Sequence, residues 1–412
     1  MNSITPNTAA FDVDAVRAQF PILSRTVHGK PLVYLDNAAS SQKPEQVIEA
    51  MAGSMRTAYA NVHRGLYTLA NETTAAYEAA REAVRRFLKS PSVDQIVFTK
   101  GATEAINLVA NGIGQTLRPG DEIVLSVMEH HANIVPWHFL RDKGAVLKWV
   151  DVDASGALDM DDLKTKLSDR TRLVSLTHMS NVLGTVTPVA EIVRLAHDAG
   201  AQVLLDGCQA VVHEPVDVTD LDVDFYVFSG HKLYGPTGIG VLYGKAAALD
   251  ALPPYQGGGE MIETVTLDAI TYNDPPHRFE AGTPPIVEAI GLGAAIDWVM
   301  SQDFAAMRAH EDALLDRATE ALHGVNGLQI HGSAPGKSAV LAFSIEGAHP
   351  HDLAQIMDRY GVAIRAGHHC AQPLMTHLGV SATARASFAC YNTSEDVDAF
   401  VSALERARMM LT

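Results

Sequence analysis

The 412-residue sequence holds only three cysteines, Cys208, Cys370 and Cys390. So sparse and odd a set cannot build a disulfide framework, leaves at least one thiol free, and suits a reducing compartment. Charged residues make up only 19% of the chain, and acidic ones outnumber basic ones for a net charge of -17. Lysine and arginine are scattered without a polybasic run, which argues against a general nucleic-acid role. No apolar stretch reaches the roughly 18 residues of a membrane span. The N-terminal MNSITPNTAAFDVDAV lacks the basic and apolar regions of a secretory signal, so a soluble, cytoplasmic protein is expected. No repeat or low-complexity tract stands out. What the chain does have is 47% hydrophobic residues, ample for a large core spread over about two or three domains.

The stretch VDFYVFSGHKLYGPTGIG, residues 223 to 240, organises the rest. Val223 to Phe228 is a continuous apolar run that reads as a buried strand. Lys232 follows it, before the turn at Gly235-Pro236. Desolvation disfavours a charged ammonium, so such an amine could be nucleophilic near neutral pH, as a carbonyl cofactor held as a Schiff base requires. A surface lysine in a loop is the plainer reading, and the neighbours decide between them.

Upstream, strands over 95–99, 122–127, 145–150, 172–177 and 202–205 alternate with helices, among them 44–60, 71–89 and 189–199. That alternation predicts a parallel sheet with helices on both faces, where ligands bind past the carboxyl ends of the strands. Thr103, His130, Asn181, Asp206, Gln209, Ser229, His231 and Lys232 fall at those ends. Lys100-Gly101-Ala102-Thr103-Glu104 opens a helix after a strand and reads as a phosphate cradle or as an ordinary cap. Beyond residue 240 the glycine loop at Tyr255–Gly259 reads as a flexible connection, and a helix from Ile286 to Val299 leads out of the main domain. Strands over 339–345, 362–365 and 385–389, with helices over 350–360 and 394–409, predict a smaller α+β module. The expected division is an N-terminal arm, 1–30, packing with the small domain; a large domain, 31–295; and a small C-terminal domain, 296–412.

An aspartate can pair with a protonated ring nitrogen, a lysine can hold an aldehyde as an imine, a histidine can stack on a ring, and a helix N-terminus with hydroxyls can hold a phosphate. Together these are the requirements of pyridoxal phosphate. Gly367-His368-His369-Cys370-Ala371-Gln372-Pro373 adds a second feature. A zinc site lacks a further Cys or His pair at suitable spacing, so no metal is expected. Cys370 as a nucleophile, its pKa lowered by adjacent histidines, is the stronger reading. Cys208 and Cys390 read as packed thiols. Asn61-Val62-His63-Arg64-Gly65 is a polar break.

The motifs NVHRG at 61, TEAINLVAN at 103, MEHHANIVPW at 128, SNVLGT at 180, FYVFSGHKLYGPTGIG at 225, RFEAGTP at 278, RAGHHCAQPL at 365 and RASF at 385 resemble those of the SUF-type (group II) cysteine desulfurases and selenocysteine lyases. These are a branch of the fold-type I, aminotransferase class V enzymes, and the resemblance runs from about Tyr34 to Thr393. It implies an α/β large domain, with a mostly parallel seven-stranded sheet that binds pyridoxal 5'-phosphate, and a small α+β domain carrying the catalytic cysteine loop. It implies that Lys232 carries the cofactor and takes the substrate's α-proton, that Asp206 pairs with the ring nitrogen, that Gln209 contacts the ring oxygen and that His130 stacks on the ring. Thr103, Ser229 and His231 would hold the phosphate, with Ala102, where the family often has threonine, offering only its N–H. Thr283 would reach in from the other subunit of a homodimer. Arg385 and Asn181 would hold the substrate with Arg365 close by, and His63 and Arg64 would sit near the site's mouth across the interface. Cys370 would take sulfur from L-cysteine as a persulfide and pass it to a SufE-like or SufU-like acceptor for iron–sulfur cluster assembly. A selenocysteine lyase is the alternative, and a non-catalytic assembly scaffold a distant one. Cys208, where a small residue is usual, is a second departure from the family pattern.

Overall fold

A computed structural model describes residues 11–412; the first ten residues of the expected arm lie outside the described residues. Seven strands form the main sheet: β1 (Ile96–Thr99), β2 (Glu122–Ser126), β3 (Val146–Val150), β4 (Thr171–Thr177), β5 (Gln202–Asp206), β6 (Phe225–Ser229) and β7 (Gly240–Gly244). Their order is β1-β7-β6-β5-β4-β2-β3. Neighbours from β3 to β6 run parallel, and β7 is antiparallel to both β1 and β6. In β6, Phe225 and Val227 join one apolar cluster while Tyr226 and Phe228 join the other. The two-residue period of a strand sends neighbours to opposite faces, and both faces are covered, so the strand reads as an unbroken apolar run. Fully burying one such aromatic contributes about 2–3 kcal/mol.

Two elements of this half depart from the sequence expectation. β7 stands where the chain was expected to turn irregular. Its first residue needs to be glycine, because a Cβ on Gly240 would lie 2.4 Å from the Gly101 Cα. Next comes an antiparallel hairpin, Ile262–Val265 with Ile270–Tyr272, whose side chains are mostly exposed. Its apolar residues lack the one-sided burial that makes a strand legible.

A second sheet has four strands: β8 (Leu328–His331), β9 (Val340–Ile345), β10 (Arg365–Gly367) and β11 (Thr383–Ser387), ordered β8-β9-β11-β10 and wholly antiparallel. Helices Phe304–His323, Pro350–Asp358 and Ser394–Leu411 accompany it. The last opens on a capping box, the Thr393 hydroxyl accepting from the Asp396 N–H and the Asp396 carboxylate from the Thr393 N–H. The strand expected over 362–365 is split. Val362–Ala363 pairs in parallel with Val33–Tyr34, and Arg365 begins β10. Val33 and Leu35 therefore belong to the core of the second sheet. The segment then crosses to the main sheet, where the Ser41 N–H donates to the His231 carbonyl.

The described part of the arm is a short helix, Val13–Arg17. Arg17 donates to the Tyr391 carbonyl and pairs with Asp396, and Phe20 packs on Tyr234, Trp298 and Tyr391. Among the described residues no helix is long and apolar enough to cross a membrane.

Candidate active site

A cavity of about 290 Å³ opens where the carboxyl ends of β4, β5 and β6 meet the second sheet. Its walls bring together Ala102, Thr103, His130, Asn181, Asp206, Ser229, His231, Lys232, Arg365, Cys370 and Arg385, which lie up to 283 positions apart in the chain. The buried β6 delivers Lys232 through one tight turn, Gly230–Lys232. The backbone there is pinned from outside the strand: Ser41 N–H and the Lys43 ammonium both donate to the His231 carbonyl, at 3.2 and 2.9 Å. At the end of β5, one Asp206 oxygen accepts from the Cys208 N–H at 3.0 Å. Among the described residues the other oxygen has no hydrogen-bond donor, and neither has the Lys232 amine an acceptor.

His130 Nδ1 accepts from the Ala132 N–H at 3.1 Å, which places the ring proton on Nε2. Burial, and then the charge of Lys232, lower its pKa to about 4, so the ring is neutral at physiological pH. His231 is lowered to about 4 for the same two reasons. Beneath His130 lies a fully buried network. Ser126 Oγ and Asn133 Nδ2 donate to the Glu129 carboxyl at 2.5 and 2.6 Å, and Asn133 Oδ1 accepts from Trp137 Nε1 and Ser175 Oγ. Burial pushes the Glu129 carboxyl up to about 8.

Opposite, the helix Ala102–Ile113 aims its N-terminus at the cavity, where free N–H groups and the dipole favour an anion. Thr103, Ser229 and His231 stand around that point. The Ala102 N–H, expected to be available to an anion, instead donates to Ser229 Oγ at 2.9 Å.

The wall from the second sheet is cationic. Arg385, almost wholly buried, donates from Nη1 to the Asn181 carbonyl at 2.8 Å and from Nη2 to Asp36 at 3.2 Å. Its Nε is buried without a partner, and burial lowers its pKa to about 10. Asn181 Nδ2 donates to the His369 carbonyl at 2.8 Å, tying the main sheet to the cysteine loop. In that loop His369 and Cys370 both have positive φ, 52° and 55°. Two successive non-glycine residues in that region are strained and need outside support. They get it from the His131 N–H donating to the Cys370 carbonyl at 2.6 Å, and from the Gln372 N–H donating to His131 Nε2 at 3.1 Å. The Cys370 thiol is left exposed.

Four expected residues do not line this cavity. Gln209 is buried behind it, its amide donating to the Ala38 carbonyl at 2.7 Å. Thr283 lines a separate depression with Lys100 and Glu280. His63 lies 2.9 Å from Glu78, and Arg64 pairs with Glu260 at 3.0 Å. Three residues outside the expected site set matter here, the third of them read from the sequence as a packed thiol. Asp36 bridges both arginines, Glu129 underpins His130, and Cys208 lines the wall beside Ser229. Glu129 directly precedes His130 and Cys208 directly precedes Gln209, both already singled out, whereas Asp36 has no such neighbour.

This donor set fits pyridoxal phosphate. An amine without an acceptor, a carboxylate with one free oxygen, a neutral histidine and a helix N-terminus beside two hydroxyls converge on one cavity. The buried, unpartnered Nε of Arg385 further fits a carboxylate ligand.

Comparison with known proteins agrees. Residues 33–400 match the family described as Aminotransferase class-V. The chain is 50% identical over 404 residues to a cysteine desulfurase of Dickeya dadantii, covering 97% of this chain and 98% of that one. Among solved structures it resembles the cysteine desulfurase CsdA (S-sulfonic acid) of Escherichia coli, with a TM-score of 0.92, 44% identity, and coverage of 98% of this chain and 100% of that chain. A cysteine desulfurase from Thermococcus onnurineus NA1, in its apo structure, gives a TM-score of 0.91 at 39% identity, with 97% and 98% coverage. With its mostly parallel sheet, its lysine past a buried strand and a match from residue 33 to residue 400, the chain belongs to the class-V aminotransferase family.

Proposed function

We propose that this chain is a pyridoxal phosphate-dependent cysteine desulfurase that converts L-cysteine to L-alanine and hands the sulfur to an acceptor protein. The observation that carries this is an exposed cysteine, Cys370, lining the same cavity as Lys232, Asp206 and Arg385. When bound, the cofactor supplies an electron sink for the substrate's α-carbon. Lys232 would hold it, Asp206 would keep its ring nitrogen protonated, His130 would stack on its ring, and Thr103, Ser229 and His231 would hold its phosphate. Arg385 would grip the substrate's carboxylate through its open Nε edge, aided by Asn181. Lys232, once free, has the base needed to move the α-proton. The Cys370 thiolate would form a bond to the substrate's sulfur as that sulfur's bond to carbon breaks. The pair of electrons leaves with the carbon fragment, which becomes alanine, and Cys370 keeps a persulfide.

The finer parts of the reading are proposals of the same kind. The division at residues 30 and 295 is kept, with the segment 33–36 packed on the second sheet. A homodimer would give Thr283, His63 and Arg64 a place at the neighbouring site. Supporting this, Leu66 is fully exposed and Tyr59, Tyr67 and Met55 are largely so. An acceptor of the SufE or SufU kind and a role in iron–sulfur cluster assembly in the cytoplasm complete it.

The test is an absorbance spectrum of the purified protein before and after adding L-cysteine, with alanine and sulfide assayed in parallel. A visible band that shifts on addition, followed by equimolar alanine, is expected. A colourless protein that cannot take up added pyridoxal phosphate would overturn the enzyme reading and leave the scaffold.

A further inference from the structure

The two histidines that precede Cys370 do different work. His368 is exposed, and its Nδ1 accepts from the Cys370 N–H at 3.2 Å. His369 is buried, and its ring folds back onto β11, with Nε2 2.9 Å from Thr383 Oγ1 and 3.1 Å from the Thr383 carbonyl. A carbonyl only accepts, so Nε2 carries the ring proton. Among the described residues Nδ1 has no partner, which leaves Thr383 as the one polar tie of this ring. Burial, and then the charge of Arg385, lower the pKa of His369 to about 3, so it brings no positive charge to the thiol. The His369 backbone is held as well, its carbonyl accepting from Asn181 Nδ2 at 2.8 Å. The peptide that joins His369 to Cys370 is thus fixed from the main sheet through Asn181 and from the second sheet through Thr383. Thr383 pairs with Gly367, the last residue of β10, and lies two positions before Arg385 on β11.

We propose that His369 is a positioning residue for the sulfur-transfer step: its ring fastens the cysteine turn to Thr383, close to Arg385 on the same strand, and so sets where the Cys370 sulfur meets the substrate. This rests on reading Cys370 as the sulfur acceptor and Arg385 as the carboxylate grip. A substrate gripped by Arg385 presents its sulfur at a point fixed by β11, and the nucleophile is placed from that same strand. Two successive non-glycine residues at positive φ do not hold such a turn unaided. Without the ring's bond the turn relaxes, and a misplacement of about 1 Å costs on the order of 10²-fold in rate. The earlier steps use Lys232 and Arg385 and do not need the turn.

The test separates those steps in the holoenzyme. In H369A, alanine release from L-cysteine should fall about 100-fold while KM changes by less than about threefold. Exchange of the L-alanine α-proton for deuterium, followed by NMR, needs the lysine and Arg385 but no nucleophile. It should stay within about threefold of wild type. Iodoacetamide should label Cys370 at a rate within about threefold of wild type, because the thiol stays exposed and loses no neighbouring charge. H369Q, whose amide can donate to the Thr383 carbonyl, should recover at least about tenfold of the lost turnover. A merely structural role would slow exchange together with alanine release, or leave the Gln and Ala variants equal, and either result overturns the proposal. Unchanged turnover in H369A overturns it too. So does a fall of about tenfold or more in labelling, which would make the histidine an activator of the thiol. Should H369A fail to fold, H369F fills similar space without a donor. Turnover below that of H369Q with exchange intact supports the proposal, and equal turnover overturns it. Failure of the underlying reading looks different, because C370A would then keep wild-type turnover.

Discussion

Two cysteines line one cavity and share little else. Cys208 follows β5, is only 7% exposed, and has its sulfur 3.9 Å from Ser229 Oγ. Burial, and then the charge of Asp206, push its thiol up to about 12. Cys370 sits on a left-handed turn at the cavity's mouth, exposed, beside Arg365 and the histidine pair His131 and His368. Nearness to the cofactor's place therefore does not select the nucleophile. A thiol buried beside a carboxylate is held protonated, and a protonated thiol neither attacks nor delivers sulfur to a partner protein. Exposure on a loop satisfies both needs at once.

The largest effect should come from deleting the exposed sulfur. C370A should lower alanine release from L-cysteine by at least about 10³-fold while leaving the visible spectrum in place. An enzyme that still turned over at the wild-type rate would break the contrast outright. Alkylation gives the same contrast without a mutation. At pH 8 Cys208, held up to about 12, should react about 1,000-fold more slowly than an ordinary free thiol. Mass mapping after brief iodoacetamide treatment should place label on Cys370 and leave Cys208 unmodified.

A smaller effect sharpens why the exposed cysteine is held as it is. His131, which supports the Cys370 turn, belongs to the segment anchored by Glu129. The Glu129 carboxyl is raised from 4.5 to about 8 by burial. The folded state then keeps a proton that the unfolded chain releases, so stability is full below pH 4.5 and declines as pH rises from there toward 8. Glutamine is already neutral. E129Q should flatten this slope, about 3–4 kcal/mol between pH 5 and 8 in urea titrations. It should also speed or slow alkylation of Cys370 while leaving Cys208 untouched.

Much of this was legible in the sequence because the chemistry lies at the ends of buried strands. Phe225–Ser229 is apolar on both faces, so the lysine that follows announced itself, as did Asp206 at the end of β5. Asp36 was not legible. Its partners Arg365 and Arg385 lie 329 and 349 positions away, and no local pattern marks a carboxylate whose role is set by strands that meet only in the fold. The hairpin at 262–272 was missed for the opposite reason. It buries little, and periodicity reports burial rather than hydrogen bonding. β7 is apolar throughout, but its antiparallel insertion between β1 and β6 is a matter of pairing, which periodicity does not carry.

The smallest expected effect tests the buried side of the comparison. Cys208 packs in the cluster with Leu204, Phe225 and Val227, and its N–H donates to Asp206 at 3.0 Å. C208A keeps that N–H and removes one sulfur atom from a packed wall. The cost should be about 1 kcal/mol of stability in a urea titration. Turnover with L-cysteine should stay within about threefold of wild type, since no reacting atom is lost. A fall approaching that of C370A would mean that the buried sulfur also takes part in the chemistry, and burial would then have to be abandoned as the property that separates the two thiols. If stability drops while turnover holds, the cavity has one cysteine for packing and one for sulfur, and the solvent around each accounts for the difference.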